Sequence, residues 1–411
     1  MSRRTAVIGV MVALFFFSFF YRTSPAVISP YLAQEFSLGA ERLGLLSSIF
    51  FLVFAAAQVP LGPALDFIGP RRVVAVLGCL GALGSLTFAL APSYGIGLLG
   101  RGLTGLGMSC MYMGTLTLAA SWYPPRSFAT VTGVVSSLGN TGALTATLPL
   151  ALLAVSLGWR GSFLLFAAVN LLLAVLAWVI VRDRPDSPAS PSPRSADSIS
   201  LTQAFRAVLG SFSFWSIALL NFFTAGSFLA VQGLWGGPFL MDVFGLTPVE
   251  AGPILSSIAL GYIVGCPLTG MISDRLVSSR KKLTLAVLSL NLLPWLLLMH
   301  FLQPGRDGFL YPVYAAIGLF ASGSILFITH LKELFPAQIV GTALSLSNLF
   351  AIGGAGILQY LMGWMIERHP PVGRAYPLEA YREAFFLPLA GMIVTLILYL
   401  RTTEKRVPRK Q

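Results

Sequence analysis

Apolar residues run along this chain in long blocks, each closed by a short cluster of turn-forming or charged residues. Twelve blocks, at approximately 5–31, 43–65, 72–91, 94–121, 128–155, 160–181, 211–240, 249–273, 282–302, 309–332, 338–365 and 384–401, predict membrane-crossing segments. A span needs about 20 mainly apolar residues to cross roughly 30 Å of hydrocarbon. Lipid cannot satisfy backbone N–H and C=O groups, so every span must be a helix. The first block runs from Thr5 to about Tyr31. That is longer than the about 7–15 apolar residues of a signal peptide, so it reads as a span.

One polar stretch interrupts the series near its middle, "RDRPDSPASPSPRSADSISLTQ" at 182–203. Its Pro, Ser and charge content reads as a linker that buries too little apolar surface to fold. The predicted organisation is a six-helix unit over 1–181, a linker over 182–206 and a second six-helix unit over 207–411. The two halves also repeat. "GPALD" at 62–66 matches "GMISD" at 270–274, and "GVVSSLGN" at 133–140 matches "GTALSLSN" at 341–348, both pairs 208 positions apart. The expected fold is therefore an all-α membrane protein of twelve transmembrane helices in two pseudo-symmetric six-helix bundles.

Composition agrees: 56% of the residues are hydrophobic and 10% charged, against about 25% charged in soluble domains. The net charge of +12 raises the question of nucleic acid, but its placement answers it. With the N-terminus inside, nineteen Lys and Arg fall in inner segments and six in outer ones. That is the positive-inside bias of a membrane protein with both termini cytoplasmic. Arg-rich, Lys-poor usage and short loops point to a bacterial inner membrane. Cys79, Cys110 and Cys266 lie in apolar runs, and His300, His330 and His369 are scattered. No metal, cofactor or disulfide framework is expected from them. No phosphate-cradling Gly-x-x-x-x-Gly-Lys occurs, and no catalytic cluster of His, Asp or Glu falls within spans, so an enzyme is not expected.

The segment "GPALDFIGPRR", with Gly62, Asp66, Gly69, Arg71 and Arg72, resembles the loop signature of the major facilitator superfamily. A degenerate copy, "GMISDRLVSSRKK", holds Gly270, Asp274, Arg275, Arg280 and Lys281. "RGLTGLG", with Arg101, Gly105 and Gly107, resembles that family's fourth-helix signature. The resemblance covers essentially the whole chain. It implies the major facilitator fold, a membrane transporter, and gating roles for Gly62, Asp66, Arg71, Arg72, Asp274, Arg275 and Arg280. In this reading Gly62 lets the second helix approach a neighbour closely, and Asp66 and Arg71 belong to a latch. Phe67 and Pro70 depart from the usual pattern.

One charge stands out. "FFFSFFYRTSPAVISPYL", 15–32, puts Arg22 within roughly 6 Å of mid-bilayer, at about 1.5 Å per helical residue. That position costs about 2.5–3.5 kcal/mol on insertion scales. All fifteen acids lie in connections or at helix ends, so no protein carboxylate is placed to meet it. The simplest compensation is a ligand anion, held bidentately. The same segment resembles the organic-anion transporting branch of the superfamily, with Tyr21 where an acid is common. Tyr21, Tyr112, Asn140, Gln232, Trp235, Tyr314 and Asn348 are the polar span residues that could complete the site. Arg101 is expected to brace helices or assist coupling.

The expected function is alternating-access transport, active or facilitative, of a small organic anion held between two bundles. The expected partners are that substrate, the bilayer and a proton or sodium ion as coupling ion, with the chain a monomer. The alternative is an exporter of amphipathic compounds, which would call for a mid-membrane acid. A transport-dead receptor is a third reading.

Overall fold

The computed structural model describes residues 3–123, 125–183, 201–275, 279–300, 304–305 and 307–402. Among them eleven helices are long and apolar enough to cross a membrane. One of these, the 33-residue Leu148–Ile180, turns a corner at Gly158, whose φ of 70° places it in the left-handed region. The corner divides it into the end of a fifth arm and a sixth arm, so the helices make twelve arms.

The first unit holds α1 (Arg3–Thr23), α2 (Pro25–Phe36), α3 (Ala40–Phe67), α4 (Pro70–Ala89), α5 (Tyr94–Met108), α6 (Met111–Trp122), α7 (Pro125–Thr145) and α8 (Leu148–Ile180). Next come α9 (Leu201–Leu209), α10 (Phe212–Ala230), a π-helical turn (Val231–Trp235), α11 (Gly236–Phe244), α12 (Pro248–Arg275) and α13 (Arg280–His300). The series ends with α14 (Leu310–Ala321), a 3₁₀ turn (Ser322–Ser324), α15 (Ile325–Leu334), α16 (Ala337–Glu367) and α17 (Leu378–Tyr399). Contacts divide the chain into two compact units. One is Met1–Ser192 with Pro248–Gly252, the other Pro193–Thr247 with Pro253–Gln411. The stretch read as linker is helical from Leu201 onward. There α9 sinks Ala204 and Val208 against Phe214, Ile217 and Leu331. A nine-residue amphipathic helix is too short to register as an apolar block, but one buried stripe suffices to dock it.

Each unit repeats the other's packing. In the first, α1 packs on α7, α3 on α5, and α4 on α8; in the second, α10 packs on α16 and α13 on α17. The closest crossings use glycine at matching places. A Cβ on Gly142 would collide with the Phe16 carbonyl, and one on Gly354 would lie 2.7 Å from the Phe222 carbonyl. Gly105 meets the Phe50 carbonyl as Gly318 meets that of Ile258. Small residues allow such backbone approach where no hydrophobic force drives helices together in lipid. Gly62 is different: nothing lies within 4 Å of where its Cβ would stand. The expectation that it permits close packing is not met.

Paired basic side chains brace both units in the same way. At the start of α4, Arg71 Nε donates to the Trp178 carbonyl near the end of α8 at 2.9 Å. At the start of α13, Lys281 Nζ donates to the Leu400 carbonyl just past α17 at 2.6 Å. At the opposite ends, Arg160 donates to the Ala91 carbonyl at 2.7 Å, and Arg382 to the Met299 carbonyl at 2.6 Å. Each brace satisfies a carbonyl that the helix end leaves without a donor. Apolar side chains such as Val155, Leu172, Val175 and Val179 stay exposed, as lipid-facing positions require.

Replacing Gly105 or Gly318 by Val should lower the thermal stability of the purified protein by about 1–3 kcal/mol, through overpacking. Gly62→Ala, measured in the same melts, should be neutral.

Candidate functional site

The first arm is broken by proline. Pro25 carries no N–H, so the carbonyl of Tyr21, four residues back, loses its helical donor. Two side chains replace it: Arg101 Nη1 donates to the Tyr21 carbonyl at 2.9 Å, and Ser24 Oγ does so more loosely at 3.4 Å. The Arg101 guanidinium lies 5.0 Å from the Phe50 ring centroid and 5.9 Å from that of Phe88. The residue is 1% exposed, and its Nε and Nη2 are buried without partners. Arg101 thus answers the loosened main chain.

Arg22 is placed differently. It lies in the last turn of α1 and is 8% exposed. Its guanidinium sits 4.5 Å from the centroid of Phe54 and 5.1 Å from that of Phe19. Nη2 donates to the Ser18 hydroxyl at 3.2 Å, and Nε has no partner. Among the described residues it has no other hydrogen bond, no main-chain acceptor and no ion pair. Ser18 in turn donates to the Met108 carbonyl at 3.4 Å, so its oxygen is turned to accept from Arg22. Gln58 donates to the Ser109 carbonyl at 3.1 Å. Arg22 therefore stands where two broken arms meet, α1–α2 and α5–α6.

The second unit breaks at the corresponding arms, with the π turn 231–235 and the 3₁₀ turn 322–324. In the fourth and tenth arms a back-bonded serine stands at each break. Ser109 Oγ donates to the Leu106 carbonyl at 2.7 Å, and Ser322 Oγ to the Leu319 carbonyl at 2.6 Å. Such back-bonding competes with the helical ladder.

Some expected site residues join Arg22 and others do not. Tyr112 is half-buried and stacks on Phe15, centroids 4.9 Å apart; Phe15 in turn meets Phe19. This aromatic line ends at Arg22. Asn140 is also half-buried, with its amide donated to the Ser136 carbonyl of its own helix. Tyr21 is a correction. Its side chain is fully buried among Phe17, Phe20 and Phe163, so only its carbonyl takes part. In the second unit Tyr314 and Trp235 are corrections too. Both are buried; Tyr314 donates to the Gly236 carbonyl at 2.9 Å and Trp235 to the Gln359 carbonyl at 2.9 Å. They brace the π turn. Gln232 is buried within that turn, and Asn348 is half-buried.

Arg71 corrects the latch. Its backbone N–H donates to Asp183 at 2.7 Å, and its guanidinium lies over Trp178. Asp183 thus caps the start of α4, and Arg71 serves its own unit. Arg72 is exposed. The side chains of Asp66, Asp274, Arg275 and Arg280 lie outside the described residues. Sequence reading passed over Ser18, Phe19, Phe54, Gln58 and Asp183. The first two were within reach, because four and three residues before Arg22 is the same helix face.

A duplicated helical unit with matched breaks in its first and fourth arms is the architecture of a membrane transporter. The profile of the Major Facilitator Superfamily matches residues 10–358 and 238–411, and the chain belongs to that family. It is 25% identical over 293 residues to a probable sulfoacetate transporter, SauU, of Cupriavidus necator, covering 69% of this chain and 68% of the relative. It is 27% identical over 264 residues to a hexuronate transporter of Bacillus subtilis, covering 62% of this chain and 60% of that relative's length. Its fold matches the crystal structure of a bacterial homologue of the human lysosomal transporter Spinster, inward-facing and unoccupied. There the TM-score is 0.79 and the identity 20%, over 97% of this chain and 96% of that one.

Tyr314→Phe and Trp235→Phe should each cost roughly 0.5–1.5 kcal/mol of stability, because each loses one buried hydrogen bond. Ligand affinity, read by titration calorimetry, should change less than twofold.

Proposed function

We propose that this chain moves a small organic anion, a carboxylate, across a bacterial inner membrane by alternating access, with Arg22 as the anchor of the substrate's charge. The observation that carries this reading is the state of Arg22. It is a mid-span guanidinium with one hydroxyl partner and a bare Nε, and no acid lies in any span interior. A buried charge is tolerated only when paired, and a guanidinium pairs best with a carboxylate through two parallel hydrogen bonds. The names of the two relatives, one for sulfoacetate and one for hexuronate, support an anionic cargo. The inward-facing Spinster homologue supports alternating access for the fold. The alternative, export of amphipathic compounds, lacks the mid-membrane acid that cationic cargo would need. The coupling ion and the cytoplasmic placement of both termini belong to the same reading. The proposed domains are 1–181, 182–206 and 207–411, and Gln232, Asn140, Tyr112 and Asn348 are proposed contacts.

The test is thermal stabilisation of the purified protein by a panel of carboxylates, phosphorylated metabolites and cations. A ligand at 100 times its Kd adds about 2.7 kcal/mol. Carboxylates should shift the melting temperature of the wild type but not of Arg22→Ala. Hits confined to cations, indifferent to Arg22→Ala, would refute the anion reading. Phe54→Leu, which removes the ring that holds the guanidinium in position at 4.5 Å, should weaken carboxylate binding several-fold through lost preorganisation and leave the order of ligands unchanged.

A further inference from the structure

The anchor leaves the number of charges on the cargo open, and the donors around it narrow that number. Of the 27 Lys and Arg residues, only Arg22 and Arg101 lie within span interiors. Arg101 sits over Phe50, one helical turn along α3 from Phe54, over which Arg22 lies. Its field therefore favours anions at Arg22. It offers them no donor, because Nη1 is held by the Tyr21 carbonyl and its other nitrogens are enclosed. It also sits against the C-terminal turn of α1, whose dipole answers part of its charge. Among the described residues the one hydrogen-bond partner of Arg22, Ser18, is neutral and is itself engaged with the Met108 carbonyl.

We propose that the site selects singly charged anions and disfavours small anions that carry two charges. The inference rests on Arg22 being the anchor. A monoanion paired with Arg22 has its charge hydrogen-bonded when it leaves water. A second negative group a few ångströms away would be desolvated with no cationic donor to receive it, and that penalty has no local compensation. Neutral hydroxyl and amide groups can hydrogen-bond the hydroxyls of a sugar acid but cannot neutralise a second charge. A hexuronate therefore fits the donor set. A hexose phosphate or sulfoacetate, each doubly charged near neutral pH, does not.

The experiment uses the purified full-length protein and melting-temperature titrations with glucuronate, galactonate and nitrate as monoanions. A hexose phosphate, sulfoacetate and succinate serve as dianions. At about pH 7.5 the monoanion set should include the stabilising ligands, and the dianions should bind at least about tenfold more weakly, a difference of roughly 1.4 kcal/mol. At about pH 5.5 the phosphate ester, whose second pKa is about 6, is largely singly charged. The hexose phosphate should then gain affinity while sulfoacetate does not. A dianion that binds at pH 7.5 as tightly as the best monoanion overturns the proposal, as does the absence of any shift across the monoanions. If such dianion binding is lost in Arg22→Ala and Arg22→Gln, the anchor stands and only the charge selection falls. If glucuronate binding survives both variants, the anchor itself is wrong.

Discussion

Pro25 carries no amide hydrogen, and that absence organises the interior of the first unit. The stranded carbonyl of Tyr21 needs a donor, and in a span water cannot supply one. Arg101 reaches from α5 and does so. The contact locks the break between α1 and α2 to the fourth arm, and it commits one of only two mid-span cations to the main chain. What remains is Arg22, three residues before the proline. The two arginines are alike in their aromatic surroundings. They differ in occupancy, one tied to a carbonyl and the other to a single hydroxyl. In the proposed reading that difference separates a brace from an anchor.

The duplication is clearer in contacts than in letters. Few residues match between the halves, yet glycines meet carbonyls at the same crossings, and basic side chains cap carbonyls at the same helix ends. Serines back-bond at the same breaks. The residue types drift, as in Arg71 and Lys281, because a carbonyl at a helix end asks only for a cationic donor. The close crossings drift less, since nothing but glycine lets two backbones meet there. The braced arms hold each unit together, and in the first unit the broken arms meet at Ser18 and Arg22.

Hydropathy made the twelve arms legible, and it also placed the corner near Gly158, between the fifth and sixth blocks. It missed α9, because nine residues with one buried stripe do not raise mean hydropathy. Position within a span was legible too: Arg22 falls inside the first apolar block. Direction was not. Tyr21, Trp235 and Tyr314 sit at plausible depths, but their side chains turn into their own unit, and only packing against other helices decides that. Ser18 and Phe19 could be found from helical spacing. Phe54 and Gln58 could not, since they come from another arm. Arg71 looked like a latch because its motif is known for one. Its partners, Asp183 and Trp178, are more than a hundred residues away in the chain.

Stability considerations close the argument about Arg22. A net stability of about 5–15 kcal/mol is typical of folded proteins, and a mid-span arginine draws about 2.5–3.5 kcal/mol from it on insertion scales. Two ring faces and a hydroxyl return part of that. Among the described residues nothing but Ser18 hydrogen-bonds this guanidinium, for the carbonyl near Pro25 is already served by Arg101. A leucine at position 22 would pack against Phe19 and Phe54 without any charge to desolvate. The residue is therefore a poor choice for folding and a good one for pairing with an anion that comes and goes. In the proposed reading its cost is carried by the protein in the empty state, and binding an anion relieves it. That cost adds to the driving force for capturing an anion in the middle of a membrane.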